Sequence, residues 1–413
     1  MANLAVCGGT PVRTREFPKW PVRDIREEEA LIDVVRSGEW GIGSRAVAEF
    51  DRKFAEFLGA KYAISCTNGT DAISIGLQAL GIRAGDEVIL PPYTFMATST
   101  ATLAVNAVPI FVDIDPNTYN IDPDKVEEAI TERTRAIIPV HIAGNPVDMD
   151  RIMRIAKKHS LSVLEDTAQA HGARWAGKMA GTIGDVGTWS FQSSKNVTSG
   201  EGGATATNDE KVFDQLFSFQ NCGRVRTGKW YEHHNMSGNH RLSAFQAAIL
   251  MVQLDRVEEY CVRRENNAAY LDSRLREIGG VEPTVMTPGA TRHAYHLYIF
   301  RFNSQEFGGV SRNVFLKALR AEGVPCSEGY VPLYKLPLFQ HLDESWPALN
   351  KVSDRYMDYS KVRCPVCERV CREEAVWLTQ NMLIGDPSDM DDVAEAVAKI
   401  KGNLGELKGV TAE

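Results

Sequence analysis

Three short segments hold residue types that can do chemistry together. The first is Phe191-Gln-Ser-Ser-Lys-Asn-Val-Thr-Ser-Gly-Glu-Gly-Gly203, where Lys195 stands among small polar residues and glycines. A lysine with so little bulk around it can approach a carbonyl-bearing cofactor and hold it as a Schiff base, its amine kept reactive by its surroundings. A lysine in such a setting is usually a solvated loop residue, which is the plain alternative. The second is Glu165-Asp-Thr-Ala-Gln-Ala-His-Gly172. An acid at a strand end stays ionised when a cation faces it. A protonated pyridine nitrogen is such a cation, and the pairing keeps the ring electron-poor. Gln169 can donate a hydrogen bond to a ring oxygen. A helix cap for Asp166 and a solvent-facing Gln169 are the plain alternatives. The third is Asn68-Gly-Thr-Asp71, a turn that opens a helix. Free backbone N–H groups and the positive end of the helix dipole suit a phosphate there. Ser190, five residues before Lys195, can place a hydroxyl on the same phosphate.

These segments need elements to position them. Residues 49–58 are amphipathic, with Phe50, Phe54, Phe57 and Leu58 at helical spacing. After them, strand and helix signals alternate. Strands are expected at 62–66, 87–90, 109–113, 135–141, 162–165, 186–191 and 203–207, and helices at 70–80, 97–105, 122–130 and 148–159. Repeated strand–helix units predict an α/β layered domain with a mainly parallel sheet. In such sheets the ligand crevice lies off the carboxyl ends of the strands. Asn68-Gly-Thr70, Tyr93-Thr-Phe95 and Asp166 all fall at such ends. Residues 241–278 read as largely helical, with Leu250, Leu254 and Val257 on one face. The expected layout is an irregular arm over 1–20, a large domain over 21–260 and a smaller α+β domain over 261–413. The smaller one carries a strand at 296–300 and helices at 313–322 and 390–400.

Bulk properties narrow the function. A chain of 413 residues, 44% hydrophobic and 24% charged, predicts a folded globular protein of more than one core. A net charge of −8 argues against a nucleic-acid binder, which needs a basic face. No apolar run is long enough to cross a bilayer, and the first ten residues lack the layout of a signal peptide. A cytoplasmic protein is expected. Eight scattered cysteines suit reduced thiols. Cys364-Pro-Val-Cys367-Glu-Arg-Val-Cys371 contains C-x2-C, but no second pair follows at zinc-ribbon spacing. A helix start with thiols on its buried side is expected there, and no metal site. The competing reading is an iron–sulfur dehydratase.

In combination and in this order, the segments resemble the sugar aminotransferase family of fold-type I pyridoxal phosphate enzymes, the DegT/DnrJ/EryC1/StrS group. The markers are Thr67-Asn-Gly-Thr70, Pro92-Tyr-Thr-Phe95, Glu165-Asp-Thr-Ala-Gln-Ala-His171, Ser190-Phe-Gln-Ser-Ser-Lys195 with Gly200-Glu-Gly-Gly203, and Gly238-Asn-His-Arg241. The resemblance implies a seven-stranded, mainly parallel sheet in the large domain and pyridoxal 5'-phosphate as cofactor. It implies Lys195 as the lysine that binds the cofactor and then moves the proton from the donor's α carbon. It pairs Asp166 with the pyridine nitrogen, Gln169 with the ring's phenolic oxygen and Phe95 with the ring face. Gly69, Thr70 and Ser190 would hold the phosphate, with Asn239 reaching it from the neighbouring subunit of a homodimer.

Lysine rather than histidine at 195 points to amine transfer rather than dehydration. Tyr330-Val-Pro-Leu-Tyr-Lys335 has tyrosine where nucleotide-sugar members of the family carry histidine in Pro-Leu-His. This resembles the cyclitol and aminohydroxybenzoate group. The expected reaction moves an amino group from L-glutamine or L-glutamate to a scyllo-inosose-type keto-cyclitol. Alternatives are a nucleotide-linked keto sugar and 3-amino-5-hydroxybenzoate synthesis. Arg241, His296 and Tyr330 are candidate substrate contacts.

Overall fold

Strands Tyr62–Cys66 (β1), Glu87–Leu90 (β2), Val108–Phe111 (β3), Thr134–Ile137 (β4) and Ser162–Asp166 (β5) are followed by a two-residue pair, Arg174–Trp175 (β6) and Lys178–Met179 (β7), and then by Val186–Ser190 (β8) and Gly203–Thr207 (β9). The computed structural model describes residues 3–342, 346 and 358–412. Seven of these strands form one sheet in the order β1-β9-β8-β5-β4-β2-β3. β9 alone runs antiparallel to its two neighbours; the pairs β8–β5, β5–β4, β4–β2 and β2–β3 are parallel. The fold is therefore α/β with a mainly parallel seven-stranded sheet. β2, β8 and β9 are buried at every position, as strands covered on both faces must be.

The covering helices are Ile25–Ser37 (α1), Arg45–Leu58 (α2), Gly69–Ala79 (α3), Ala97–Ala104 (α4), Pro123–Ala129 (α5), Met149–His159 (α6), Glu210–Gln220 (α7), Ala244–Leu254 (α8) and Val257–Ile278 (α9). The aromatic stripe read from 49–58 is the buried face of α2. Phe50 and Phe54 pack edge-on against Phe191, and Phe54 also against Trp189, at centroid distances of 5.2–5.6 Å. They therefore clamp the strand that leads to Lys195.

Three local differences from the sequence reading have physical causes. The strand expected over 135–141 is interrupted after Ile137, because Pro139 has no N–H for the ladder, and it pairs again at Val140, opposite Asp166. The helical stretch 241–278 breaks at Asp255–Arg256, where the Arg256 guanidinium turns in to pair with Glu27 and Asp24. α1 was not expected, although Asp24 and Glu27 form a reciprocal capping box at its start.

Beyond α9, Val281–Pro283 (β10), Leu297–Phe302 (β12) and Ala375–Thr379 (β13) make a second, antiparallel sheet, while Ala290–Arg292 (β11) joins β6 and β7. Arg312–Ala321 (α10) and Pro387–Gly402 (α13) pack on that second sheet through one apolar cluster. The segment between them behaves differently. Pro337–Gln340 (α11), Pro365–Arg369 (α12) and their flanks join the cluster of the first sheet, where Phe111 meets the rings of Tyr334, Phe339 and Tyr359. Cys364, Cys367 and Cys371 face the same cluster. Burial pushes the Cys364 thiol up to about 12, and the Cys367 and Cys371 sulfurs lie 3.9 Å apart. Among the described residues no three His, Cys, Asp or Glu side chains converge as a metal site, and no helix is long and apolar enough to cross a membrane.

The N-terminal arm is ordered by long-range contacts. Buried Glu322 accepts N–H bonds from Ala5 and Val12 and pairs with Lys399. Arg13 bridges Asp389 and Asp392 at 2.7 and 2.6 Å. The arm then crosses to the first sheet, where Trp20 Nε1 donates to the Ser193 carbonyl at 3.1 Å.

β5 ends on two adjacent acids that point to opposite faces. Glu165 is fully buried and accepts the N–H groups of Gly181, Ile183 and Gly184 at 2.6–2.7 Å, together with His141 Nε2 at 2.9 Å. His141 Nδ1 accepts from the Val147 N–H, so its proton sits on Nε2 and points at the carboxylate. Burial opposes the charge on Glu165, yet these donors hold its carboxyl below the usual range. Its stabilisation is therefore present above the unfolded carboxyl pKa and is lost as pH falls through the folded value. Glu165→Ala orphans several buried donors at about 1–3 kcal/mol each, so urea unfolding at pH 7 should show a loss of about 3–5 kcal/mol. The gap between variant and wild type should narrow at acid pH. A loss under about 1 kcal/mol would mean that the carboxylate does not hold the 181–184 turn.

Candidate active site

A cavity of about 920 Å³ opens at the carboxyl ends of the parallel strands, as crevices in such sheets do. It is lined by Gly69, Thr70, Phe95, Asp166, Gln169, Ser190, Lys195, His296 and Tyr330. Nine of the eleven residues singled out in the sequence are thus brought together. The other two, Asn239 and Arg241, lie outside the cavity of their own chain. Asn239 is exposed and accepts the Arg241 N–H, and Arg241 donates to Asn221 Oδ1 at 2.9 Å.

The floor is the start of α3. Asn68 is the cap, its Oδ1 accepting the Asp71 N–H at 2.8 Å. Gly69 and Thr70 are then the first helical residues, and their N–H groups have no intrahelical acceptor. Ser190, at the end of β8, stands directly beside this turn. A Cβ added to Gly69 would come within 2.6 Å of Ser190 Cβ, so only glycine allows the approach. Asp71 pairs with His240 and also accepts from Thr67, which fixes the turn from below.

Asp166 occupies the side wall. Thr98 Oγ1 donates to its Oδ2 at 2.8 Å and the Ala168 N–H to its Oδ1 at 3.1 Å. Both donors are neutral. Burial therefore raises the carboxyl above its ordinary value in spite of them and of the Lys195 charge. Burial likewise pushes the Lys195 amine down to about 8, against the pull of Asp166. Each group is a charge short of a close partner, and the cavity lies between them.

Gln169 does not face solvent. Its Oε1 accepts the Ala143 N–H at 2.7 Å and its Nε2 donates to the Tyr330 hydroxyl at 2.8 Å. Ala143 is held at φ 57°, a left-handed conformation that costs a non-glycine residue and here aims its N–H at Gln169. Tyr330 packs edge-on against Tyr93 and Trp377, and Trp377 Nε1 donates to the Tyr93 hydroxyl. Phe95 stands at the mouth and is 61% exposed, unusual for a phenylalanine in an ordered segment. His296 Nδ1 lies 3.2 Å from Asn196 Oδ1, whose amide nitrogen donates to the Ala294 carbonyl. The ring is thus neutral with its proton on Nδ1, and burial holds it well below its usual pKa.

The sequence reading missed Trp20, Thr98, Trp377, Gln380 and Asn381, all of which line the cavity. Thr98 could have been found, since it follows Phe95 by three residues on the same helix start. The others lie on the arm and at the end of β13, remote in sequence from every motif.

Comparison with known proteins shows what the whole chain is similar to. The model of the DegT/DnrJ/EryC1/StrS aminotransferase family matches residues 22–381. A Streptoalloteichus tenebrarius protein, provisionally named L-glutamine:3-amino-2,3-dideoxy-scyllo-inosose aminotransferase, is 42% identical, with 98% of this chain and all of that protein covered. The L-glutamine:2-deoxy-scyllo-inosose aminotransferase of the same organism is 37% identical over 98% of this chain and 99% of its own length. The crystal structure of 3-amino-5-hydroxybenzoic acid (AHBA) synthase superimposes with a TM-score of 0.84 at 34% identity, covering 94% of this chain and 99% of that one.

The pair of shifted groups makes a titration prediction. In cofactor-free protein, competitive labelling with acetic anhydride followed by peptide mass spectrometry should give Lys195 a midpoint near 8. Asp166 is what holds it that high, so Asp166→Asn should move the midpoint lower still. A midpoint near the ordinary lysine value of about 10.4 in wild type would overturn the description of the amine as desolvated.

Proposed function

The chain belongs to the DegT/DnrJ/EryC1/StrS aminotransferase family, and from that premise we propose that it uses pyridoxal 5'-phosphate to move the amino group of L-glutamine onto the ketone of a scyllo-inosose-type cyclitol. Members of this family are pyridoxal phosphate aminotransferases, with a small-molecule amino donor and acceptor. The observation that carries the reading is the convergence of Lys195, Asp166 and the open start of α3 on one cavity. The named relatives support the choice of donor and acceptor.

The residues fit the cofactor. The N–H groups of Gly69 and Thr70 and the Ser190 hydroxyl make an anion cup at a helix N-terminus, suited to the phosphate. Asp166, buried with only neutral donors, would be completed by a protonated pyridine nitrogen, which would reverse its upward shift. Phe95 provides a ring face at the mouth, and Gln169 keeps one amide hydrogen free for the ring oxygen. When bound, the cofactor supplies an aldehyde for the amine and a sink for the electrons released at the donor's α carbon. Lys195 would hold it covalently and, as a free amine, would carry the proton from that carbon. An amine with a pKa of about 8 is partly neutral at working pH and so can accept it. His296 offers an unprotonated Nε2, and Tyr330 its hydroxyl, to the acceptor's oxygens. Asn239 and Arg241 would serve the cavity of a second copy. Their exposed segment carries Trp230, Tyr231 and Met236 uncovered, an apolar load that suits a homodimer contact.

Purified protein should be yellow, and borohydride should fix the cofactor on the peptide that holds Lys195. Lys195→Ala should abolish both the adduct and transamination. L-Glutamine should bleach the yellow band, and the bleached enzyme should recover it with 2-deoxy-scyllo-inosose and not with nucleotide-linked keto sugars. No adduct on Lys195 sinks the cofactor assignment; recovery with a keto sugar alone sinks the acceptor.

A further inference from the structure

Arg264 is a fully buried guanidinium, and among the described residues no carboxylate pairs with it. It sits on α9, behind the cavity wall made by Trp20 and the end of β13. Its Cζ lies 5.6 Å from the Trp20 ring centroid and 5.8 Å from that of Tyr260. Its Nε donates to Gln380 Oε1 at 3.1 Å, Nη2 donates to the same oxygen, and Nη1 has no partner. A buried cation without a counter-ion costs several kcal/mol. Burial lowers its pKa only to about 10, so the charge persists at neutral pH.

The charge is passed forward by Gln380, which lines the cavity. With its oxygen end committed to Arg264, the amide's N–H end is the one left for the cavity. A donor polarised by a buried cation is stronger than a free amide and favours an anionic acceptor. The strand end is fixed too, since Thr379 bonds to Asn381 and the Asn381 amide to the Pro18 carbonyl.

Resting on the function proposed above, we infer that the Arg264–Gln380 pair is the subsite for the α-carboxylate of the amino donor. Both substrates of an aminotransferase take turns in one cavity. L-Glutamine carries a carboxylate and a keto-cyclitol carries none, so that group is what a donor-specific subsite must recognise. Gln380 touches the carboxylate; Arg264 is a positioning residue that acts through it. Away from this corner, the charged side chains on the chain's own cavity wall are Lys195, which is committed to the chemistry, and the acids Asp71, Asp166 and Glu201, which repel an anion.

The test compares L-glutamine with L-glutaminol, in which the carboxylate is replaced by a hydroxymethyl group, by titrating the bleaching of the yellow holoenzyme. Wild type should bind glutamine about 10- to 100-fold more tightly than glutaminol, the worth of one charge-assisted hydrogen bond. Gln380→Glu places a carboxylate on Arg264 and turns the subsite against anions. It should weaken glutamine by a similar factor and leave glutaminol within about threefold. Arg264→Met removes the charge from the other end and should give the same split, should the first variant be poorly folded. Equal loss for both ligands would mean a merely structural role, and no loss for either would mean that the carboxylate binds elsewhere; both outcomes overturn the subsite. A wild-type enzyme that glutamine does not bleach overturns the proposed donor itself, and the subsite with it.

Discussion

Everything in the site depends on how β5 ends. Two carboxylates, Glu165 and Asp166, stand side by side in sequence, and the two-residue period of a strand sends them to opposite faces. Glu165 is saturated by donors and belongs to the scaffold: it gathers the 181–184 turn and His141 against the sheet. Asp166 is left with two neutral donors and belongs to the cavity. The same residue type thus acquires opposite electrostatic character a few ångströms apart. One carboxyl is held below its usual pKa by what surrounds it, and the other is raised above it. A one-residue slip of the strand would exchange the two roles and leave neither satisfied.

The lysine opposite is arranged by packing. Phe191 leads into the Lys195 segment, and its ring is locked by Phe50 and Phe54 of α2 and flanked by His171. The strand that delivers the lysine is therefore anchored by an apolar clamp on its far face. The polar contacts on its near face, with Ser190 beside Gly69, remain free for a ligand. Rigidity and reactivity are divided between the two faces of one sheet.

How much of this was legible in the sequence follows from the range of each interaction. Elements with strong internal periodicity, such as α2 with its phenylalanines and α6 with Ile152 and Ile155 behind an aspartate cap, could be read from the sequence. So could the site residues carried by short contiguous motifs at strand ends, because a strand–turn–helix junction is local. What escaped is long-range. The break between α8 and α9 is set by Arg256 reaching Glu27, 229 positions away. Trp20 and Gln380 meet at one wall from opposite ends of the chain, and neither lies in a recognisable pattern. Gln169 was read as a ring contact or a solvent-facing residue. Its bonds to Ala143 and Tyr330 come from a left-handed residue and from the far side of the cavity, and neither is written in its neighbours.

The N-terminal arm has a consequence for how the molecule is made. The arm leaves the ribosome first, but its anchors are Glu322, Asp389, Asp392 and Lys399, which leave among the last. During synthesis the seven-stranded sheet can form while the arm still has nothing to hold. The wall that Trp20 shares with Gln380 and Asn381 closes only when the final helix is in place. Until then the nascent chain carries a half-built cavity, with Arg264 already made but Gln380 not yet there to face it. The order of translation therefore separates the folding of the scaffold from the completion of the pocket, so that a chain cut short before residue 377 would hold Lys195 without the wall that encloses it.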